Sequence, residues 1–392
     1  MDTRVVAELP AALADVLARP AAQQPAWPDP ARAEEIHRAL RRVPPLVTVA
    51  ETERLRARLA EVARGEALVL QGGDCAETFH GNTEEHLRGN VELLRAVADV
   101  LEIGTGLPVV VLGRIAGQYA KPRSRPVDAT GLPAYRGDLV NSVVPTAAAR
   151  TPDPERMLRA YADAAGTLHR LRSFGGAREV FAGHEALLLG YESALVRRAG
   201  SRLYGSSGHF LWVGERTRQL DGAHVAFAAL VANPVGLKIG ATATPDEVLA
   251  YVRRLDPDRT PGRLTLISRM GADRVRTALP PIVARVRAAG HPVLWQCDPL
   301  HGNTETAPSG HKTRDVGRVA DELRGYFDVH RALGTHPGGI HLELTGDDVT
   351  ECVGDGITLG DLPARYTTAC DPRLNVRQAL GIAEVAAESI AR

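Results

Sequence analysis

The chain has 392 residues, which is enough for two or three domains of ordinary size or for one large α/β barrel. It carries 47 Lys and Arg residues against 47 Asp and Glu residues, so there is no overall positive field to attract a polyanion, and we expect no nucleic-acid partner. With 44% hydrophobic and 24% charged residues, the chain can bury a large core. This composition excludes disorder for most of its length.

Cysteine usage and apolar patterning predict the compartment. Four scattered cysteines are too few for a disulfide scaffold in a chain of this length, and they suit a reducing environment. The N-terminus lacks a basic segment followed by an apolar run, and the longest clean apolar stretch, residues 225–232, is far too short to cross a bilayer. We therefore expect a cytoplasmic protein without a signal peptide or a membrane span.

Apolar, β-branched runs of strand length alternate with helical patterns along the chain. Three helical patterns come first, at residues 11–18, 30–42 and 50–64. Eight candidate strands follow at residues 67–71, 108–113, 179–183, 210–214, 235–239, 264–269, 292–297 and 339–344. Helices are predicted between them at 83–102, 154–172, 273–289 and 316–333, and a capping box of Thr244 and Glu247 starts another. We expect the Pro280-Pro281 pair to break or restart its helix.

Strand–helix alternation of this kind favours a (β/α)8 TIM barrel over a doubly wound sheet or two separate domains. We predict two parts: an N-terminal helical extension over residues 1–66 and a catalytic barrel over residues 67–392.

Six cations follow the predicted strands. In a barrel all strands point the same way, so residues after their carboxyl ends converge on one face. The six are Arg114, Lys121, Arg123, Arg216, Lys238 and Arg269. Guanidinium and ammonium groups together bind phosphate and carboxylate oxygens, and their number predicts a ligand with more than one anionic group. The alternative is that these residues are solvated or paired with acids, as arginines in an Arg-rich chain commonly are.

Four potential metal donors also follow strands: Cys75, His301, Glu343 and Asp371. A set of one sulfur, one nitrogen and two oxygen donors can bind a divalent transition metal and leave a position open for substrate. Each residue also has a structural explanation, as a buried thiol, a loop histidine, an ion-pair partner or a turn residue, and no compact metal-binding spacing is present. From the residues alone, we therefore predict a metal-assisted enzyme that acts on phosphosugar-type substrates.

Seven segments extend this interpretation: QGGDCAE (71–77), GR (113–114), KPRS (121–124), GERTR (214–218), SRMG (268–271), DPLHGNT (298–304) and CDPRLN (370–375). Together they resemble the type II 3-deoxy-D-arabino-heptulosonate-7-phosphate (DAHP) synthases, and the resemblance runs from about Leu46 to the C-terminus. It implies a (β/α)8 barrel that condenses phosphoenolpyruvate with erythrose 4-phosphate, the first step of the shikimate pathway. Leu300 stands where the family usually has Met, a volume-conserving change that should not disturb His301.

The resemblance also implies roles for individual residues. Cys75, His301, Glu343 and Asp371 would bind a divalent metal ion, expected to be Mn²⁺ or Co²⁺. Phosphoenolpyruvate would be held by Arg114, Lys121, Arg216, Lys238 and Arg269, with Glu215 near the reacting groups. Erythrose 4-phosphate would place its phosphate on Arg123 and Ser124. Lys121 would protonate the new alkoxide, and we expect neighbouring cations to lower its pKa for that purpose. We also expect a homo-oligomer.

Two other functions stay open at this stage. One is a synthase of the same chemistry that uses an amino- or imino-substituted erythrose phosphate for secondary metabolism. The other is a non-catalytic barrel that acts as a partner for a second enzyme, although a scaffold has no physical need for a metal set and a phosphate cradle.

Two further expectations follow. Longer members of the resembled family insert a helical pair between the second and third strands and use it to bind aromatic amino acids. Here only residues 154–172 form a convincing helix in that connection. We therefore expect little inhibition by Trp, Phe or Tyr.

Cys370 precedes Asp371, so it should lie near Cys75. In the metal-free enzyme we expect the surrounding cations to lower the pKa of Cys75 and favour a disulfide between the two.

Overall fold

The computed structural model of the protein describes residues 4–5, 10–128, 130–176 and 178–392. Its strands are β1 (Arg4–Val5), β2 (Leu68–Gly73), β3 (Val109–Gly113), β4 (Val180–Glu185), β5 (Val196–Ala199), β6 (Arg202–Gly205), β7 (Phe210–Val213), β8 (Val235–Gly240), β9 (Leu264–Arg269), β10 (Leu294–Cys297), β11 (Thr304–Thr306), β12 (Lys312–Arg314) and β13 (Gly339–Glu343). Its helices are α1 (Ala11–Leu17), α2 (Pro30–Arg42), α3 (Val49–Ala63), α4 (Glu84–Thr105), α5 (Ala147–Arg150), α6 (Arg156–Ser173), α7 (Leu189–Ala194), α8 (Ala223–Leu230), α9 (Pro245–Leu255), α10 (Val275–Ala288), α11 (Val316–Ala332) and α12 (Val376–Ala391).

Eight strands form a closed parallel barrel in the order β2-β3-β4-β7-β8-β9-β10-β13. The ring closes because β13 pairs in parallel with both β10 and β2. Each barrel strand coincides with one of the eight predicted runs, which confirms the TIM barrel and excludes the open, doubly wound sheet. Closure leaves no free edge and directs the carboxyl end of every strand to one face.

The barrel strands are apolar on both faces because helices cover the outside and side chains fill the inside. β3 reads Val-Val-Val-Leu-Gly and is buried throughout, as is β2. Val111 and Val213 belong to the large core under the helices, whereas Val110 and Trp212 belong to a separate cluster that fills the barrel. Continuous apolar runs of this kind are typical of parallel strands covered on both sides.

Among the described residues, three helices precede the barrel. The N-terminal helix α1 packs on α8, α2 packs on α6 and α7, and α3 contacts β2 and β10. The Thr48 side chain and Glu51 form a reciprocal capping box that starts α3, and Thr244 with Glu247 does the same for α9, as predicted. The division into an extension of residues 1–66 and a barrel of residues 67–392 stays a prediction.

The expected break at Pro280 and Pro281 is wrong, because α10 continues from Val275 to Ala288 with both prolines inside it. The two prolines deprive the carbonyls of Arg276 and Thr277 of their helical partners. Both of those residues are exposed, so water can bind the freed carbonyls. Apolar packing of the opposite face then holds the helix together.

Several elements were not predicted. β5 and β6 form an antiparallel sheet with β1, and β11 and β12 form a short hairpin beyond the barrel. The apolar stretch at 225–232 lies mostly in α8, and α12 packs against α4 and α11. In the part of the chain that the structure describes, no helix is long and apolar enough to cross a membrane.

Candidate active site

A cavity of about 370 Å³ opens at the carboxyl ends of the barrel strands. Five of the six predicted cations line it: Lys121, Arg123, Arg216, Lys238 and Arg269. Ser124, Glu215, His301 and Asp371 line it as well. Residues from across the whole chain thus surround one space, and that space is rich in donors for anionic oxygens.

Three of the four predicted metal donors form a tight cluster at the base of this cavity. Ligand atoms of Cys75, Glu343 and Asp371 all lie within 4.8 Å of one another. Cys75 follows β2 and Glu343 ends β13, the two strands that close the barrel. The later segment joins them because the Leu374 backbone N–H donates to the Glu343 carbonyl at 2.9 Å. Strand pairing therefore brings together donors that lie almost 300 positions apart.

His301 lies next to this cluster and is oriented by a neighbour. Its Nδ1 is 2.7 Å from Asp298 Oδ2, and its Nε2 is 3.1 Å from Glu343 Oε1. A carboxylate on Nδ1 fixes the ring and leaves Nε2 directed at the other donors, the arrangement common for metal-binding histidines. Nε2 of the oriented ring faces the carboxylate of Glu343, which belongs to the donor cluster. The donor set thus suits a divalent transition metal.

The carboxylate of Glu343 is completely buried yet ionised. Burial by itself raises the pKa of Glu343, but His301, Arg314, Lys121 and Arg114 outweigh that effect and hold it well below its usual range. Arg314 donates to Glu343 Oε2 at 2.8 Å. An ionised carboxylate is the form that a metal binds.

Arg114 lies below the cavity instead of lining it. Its guanidinium donates to the Asp74 and Cys75 carbonyls and to Glu343 Oε1, at 2.9, 3.0 and 3.0 Å. A fourth contact of 2.7 Å joins it to His341 Nε2. Most of its N–H groups are therefore used within the protein. Its predicted contact with phosphoenolpyruvate stays a prediction.

Lys121 reaches the donor cluster, and its surroundings differ from those expected. Its Nζ lies 3.7 Å from Glu343 Oε1 and 3.6 Å from Asp371 Oδ2. Burial lowers the pKa of Lys121, but Cys75, Glu343 and Asp371 outweigh it, and the net shift is upward. The expectation that neighbouring cations lower this pKa is wrong, because the groups nearest to Nζ are acidic.

The remaining cations are anchored individually. Lys238 is buried against Asp298, with Nζ 2.7 Å from Oδ2, and burial lowers its pKa despite that partner. Arg269 donates to the His301 carbonyl at 3.0 Å. Arg216 is exposed and donates to Ser124 Oγ at 2.8 Å, which joins two of the predicted substrate-binding loops.

Glu215, which we predicted near the reacting groups, is held by Arg218. Arg218 Nη2 donates to Glu215 Oε1 at 3.0 Å, while the buried Oε2 has no hydrogen-bond partner among the described residues. Glu215 thus lines the cavity with one oxygen paired to Arg218 and the other buried and unpaired among the described residues.

The thiols of Cys75 and Cys370 are neighbours beside Asp371, whose backbone N–H donates to Cys75 Sγ at 3.1 Å. Burial raises the pKa of Cys75, whereas interaction with the neighbouring Cys75 thiol and with Lys121 lowers the pKa of Cys370. The expected proximity is therefore observed, but the expectation that the surrounding cations lower the pKa of Cys75 is wrong. Cys75 is enclosed with Glu343 and Asp371, whose negative charges oppose its ionisation.

Sequence reasoning gave no role to several residues at the site, including Arg314, which donates to Glu343 Oε2. Lys312, on the β12 side of the hairpin, places Nζ 2.6 Å from Asp371 Oδ1, and nothing in a short polar hairpin signals that contact. Asp298 begins the DPLHGNT segment (298–304), but we predicted no role for it. Glu185 is buried at the end of β4 and lines the cavity, and its Oε1 has no partner among the described side chains. The strand-end rule that selected the other residues would have found it.

The fold and the site define a (β/α)8 enzyme with a cation-lined cavity above a cluster of Cys, Glu and Asp side chains of the kind that binds metal ions. A sequence model described as the Class-II DAHP synthetase family matches residues 12–178 and 175–387. The chain belongs to that family, and the family identified from its motifs is confirmed.

Two curated relatives cover nearly the whole chain. One, from Mycolicibacterium smegmatis, is named phospho-2-dehydro-3-deoxyheptonate aldolase AroG; it is 48% identical, over 98% of this chain and 95% of its own. Another, from Streptomyces coelicolor, is named phospho-2-dehydro-3-deoxyheptonate aldolase; it is 49% identical, over 94% of this chain and 95% of its own. A solved structure of the enzyme of that name from Francisella tularensis SCHU S4 superposes with a TM-score of 0.53 at 14% identity, over 92% of this chain and 97% of that one, and supports the fold.

One of these relatives has segments that this chain lacks. The alignment with the M. smegmatis relative runs over 443 residues, more than the 392 of this chain, so that relative has segments that are absent here. The family match divides at residues 175–178, between α6 and β4. At that point Gly175 and Gly176, both with positive φ, turn the chain tightly towards β4.

Proposed function

We propose that the protein is a DAHP synthase, which joins phosphoenolpyruvate to erythrose 4-phosphate and releases phosphate. The observation that carries this proposal is the meeting of five cavity-lining cations with a Cys–Glu–Asp donor cluster at the carboxyl ends of a barrel. Two phosphorylated substrates and an aldehyde need both kinds of group. Family membership and the names of both curated relatives support the same reaction.

The metal that we propose is Mn²⁺ or Co²⁺, held by Cys75, His301, Glu343 and Asp371. A thiolate, an imidazole and two carboxylates suit borderline first-row ions better than Mg²⁺ or Ca²⁺. When bound, such an ion supplies Lewis-acid polarisation of the aldehyde oxygen. The positive charge of the bound ion would also offset the negative charges of Glu343 and Asp371 next to Lys121.

The cations divide between the two substrates. Arg216, Lys238 and Arg269 would bind the phosphate and carboxylate of phosphoenolpyruvate, with Arg114 contributing from below. Arg123 and Ser124 would bind the phosphate of the aldose. The hydrogen bond from Arg216 to Ser124 supports adjacent sites, since it joins the two groups of residues directly. Adjacent sites keep C3 of phosphoenolpyruvate near the aldehyde carbon.

Lys121 is the proposed proton donor. As the C3–C1 bond forms, the aldehyde oxygen gains negative charge, and the protonated Nζ donates a proton to it. An upward-shifted pKa keeps Lys121 protonated at neutral pH before the reaction. Attack by C3 leaves positive charge at C2, so water adds there and loses a proton to a carboxylate, for which Glu215 is the proposed group. The C2–O bond to phosphate then breaks as the C2 hydroxyl becomes the ketone, and the hydroxyl proton leaves with the phosphate.

The test is consumption of phosphoenolpyruvate, followed by ultraviolet absorbance, with and without erythrose 4-phosphate and with Mn²⁺ or Co²⁺ present. We expect consumption only with both substrates and release of one phosphate per product. Lys121→Met should lose most of kcat, with a smaller loss of affinity for phosphoenolpyruvate, which Arg216, Lys238 and Arg269 still bind. Absence of turnover with erythrose 4-phosphate, together with turnover of an amino-substituted erythrose phosphate, would assign the protein to the second chemistry. Absence of turnover with either would contradict a catalytic role.

Three properties accompany this proposal. Cytoplasmic location suits a biosynthetic enzyme with free cysteines. A homo-oligomer is expected, and light scattering after size-exclusion chromatography measures the mass. The pathway that the product enters, primary or secondary, is decided by the enzyme that consumes it.

A further inference from the structure

Two neighbouring glutamines between α1 and α2 bind two different loops at the carboxyl face of the barrel. Gln23 Oε1 accepts from the Arg123 backbone N–H at 2.9 Å, and Gln23 Nε2 donates to the Arg123 carbonyl at 3.2 Å. Gln24 makes the same kind of pair with the loop after β4: it accepts from Leu189 N–H at 3.1 Å and donates to the Leu187 carbonyl at 2.8 Å. The N-terminal extension therefore reaches the loops of the active-site face.

The main chain of Gln23 adds a second connection to the same loop. Its carbonyl accepts from the guanidinium of Arg136, and the Arg136 carbonyl accepts from the Lys121 backbone N–H at 2.9 Å. Gln23 thus binds Arg123 directly and Lys121 through one intermediary. Its φ of 62° is uncommon outside glycine. This backbone shape turns its side chain and its carbonyl towards the same segment.

The segment that Gln23 binds has no regular secondary structure to order it. Residues 121–126 lie in the long connection between β3 and α5. Within the described residues, the hydrogen bonds of the Arg123 backbone all go to Gln23. Preceding residues of the extension are themselves anchored, since the Ala223 N–H donates to the Pro20 carbonyl at 2.9 Å and α1 packs on α8. A fixed support therefore holds an otherwise irregular loop.

We infer that Gln23 is a positioning residue for the phosphate of the aldose substrate. It holds the backbone of Arg123 so that the guanidinium and the adjacent Ser124 hydroxyl face the cavity before substrate arrives. Pre-ordered donors avoid the entropy cost of fixing a loop during binding. This inference rests on the proposed function, because it takes Arg123 and Ser124 as the phosphate site. It makes the N-terminal extension part of substrate recognition.

The test variant is Gln23→Gly, because glycine accepts the positive φ while removing both side-chain hydrogen bonds. We expect the KM for erythrose 4-phosphate to rise about tenfold, the size that loss of one or two ordinary hydrogen bonds produces. The KM for phosphoenolpyruvate should stay within about twofold. Gln23→Asn, which also tolerates positive φ but is one methylene shorter, serves as a second variant and should show the same split. Circular dichroism and melting curves confirm that each variant is folded.

The matched control is Gln24→Ala, which removes the neighbouring amide but leaves the Arg123 contacts intact; its KM for erythrose 4-phosphate should stay within about twofold. Combining Gln23→Gly with Arg123→Ala should raise that KM no further than Arg123→Ala alone, since both act through one group. Equal rises in both KM values, an equal effect of the control, or additive effects with Arg123 would overturn the inference. A wild-type enzyme without turnover would instead contradict the proposed function, which separates the two failures.

Discussion

Replacing Asp298 with asparagine tests how the site prepares His301 and Lys238. The buried Asp298 Oδ2 lies 2.7 Å from both His301 Nδ1 and Lys238 Nζ, and Oδ1 accepts from the Leu300 and His301 backbone N–H groups at 3.2 Å. Asparagine keeps the shape and the oxygen acceptor but removes the charge. It also offers an N–H₂ group that can face the ring nitrogen, so the orientation of the imidazole is no longer specified.

The expected losses of metal affinity and folding stability follow from the position of Asp298 next to His301 and Lys238. Losing such a partner lowers metal affinity about 10- to 100-fold, which is about 1.4–2.7 kcal/mol. Leaving the buried ammonium of Lys238 without its counter-ion costs about 3 kcal/mol of folding stability. We therefore expect weaker Mn²⁺ binding, a raised KM for phosphoenolpyruvate and a lower melting temperature.

The assay is calorimetric titration of Mn²⁺ into the metal-free variant, alongside urea unfolding. Asp138→Asn is the matched control, because Asp138 is another buried aspartate, paired with Arg156 and the Phe79 N–H, and it touches none of the metal donors. It should lose stability but keep its affinity for Mn²⁺. Unchanged affinity in Asp298→Asn, or an equal loss in the control, would refute the reasoning.

Four other predictions follow. Chelation should abolish turnover and Mn²⁺ or Co²⁺ should restore it, with Cys75→Ser binding Co²⁺ at least tenfold more weakly by absorbance titration; full activity after chelation would contradict the metal assignment. Trp, Phe and Tyr at sub-millimolar concentration should leave the rate of phosphoenolpyruvate consumption unchanged. The reason is that a short turn at Gly175 and Gly176 connects α6 to β4, with no inserted helical pair among the described residues to bind an aromatic amino acid; strong inhibition by any of the three would count against this. Mild oxidation of the metal-free enzyme should cross-link Cys75 to Cys370, detected by non-reducing peptide mapping and reversed by reductant plus metal; oxidative inactivation without that peptide would reject it. His86 loses solvation on burial, but its hydrogen bonds to Asp347 and Asp74 raise its pKa from 6.5 to about 10, so the stability it contributes is complete below about pH 6.5 and is lost as pH rises through 10. The free energy of unfolding, measured with urea at a series of pH values, should fall less steeply over that pH range in His86→Gln than in the wild type. Parallel pH profiles for the two proteins would disprove this prediction.

Much of the architecture could be read from local patterns. A barrel strand such as β3 is a continuous β-branched run, and α9 begins at the Thr244 capping box, so short-range preferences identify both. Parallel strands then bring their carboxyl ends together, which let the sequence predict that Cys75 and Glu343 belong to one site. The Pro280–Pro281 expectation failed because tertiary packing and solvent access outweighed a local rule.

What only the tertiary structure decided concerns contacts between irregular segments. Lys312 meets Asp371, and Gln23 meets Arg123, because loops distant along the chain cross on the barrel face. The charges around Lys121 also depend on the tertiary structure. The predicted strand ends place Lys121 among other cations, whereas in the folded protein its nearest charged neighbours are Glu343 and Asp371. The order of residues along the chain determined which groups reach that face of the barrel. The distances between side chains, which decide pKa and partner, depend on packing that no local pattern encodes.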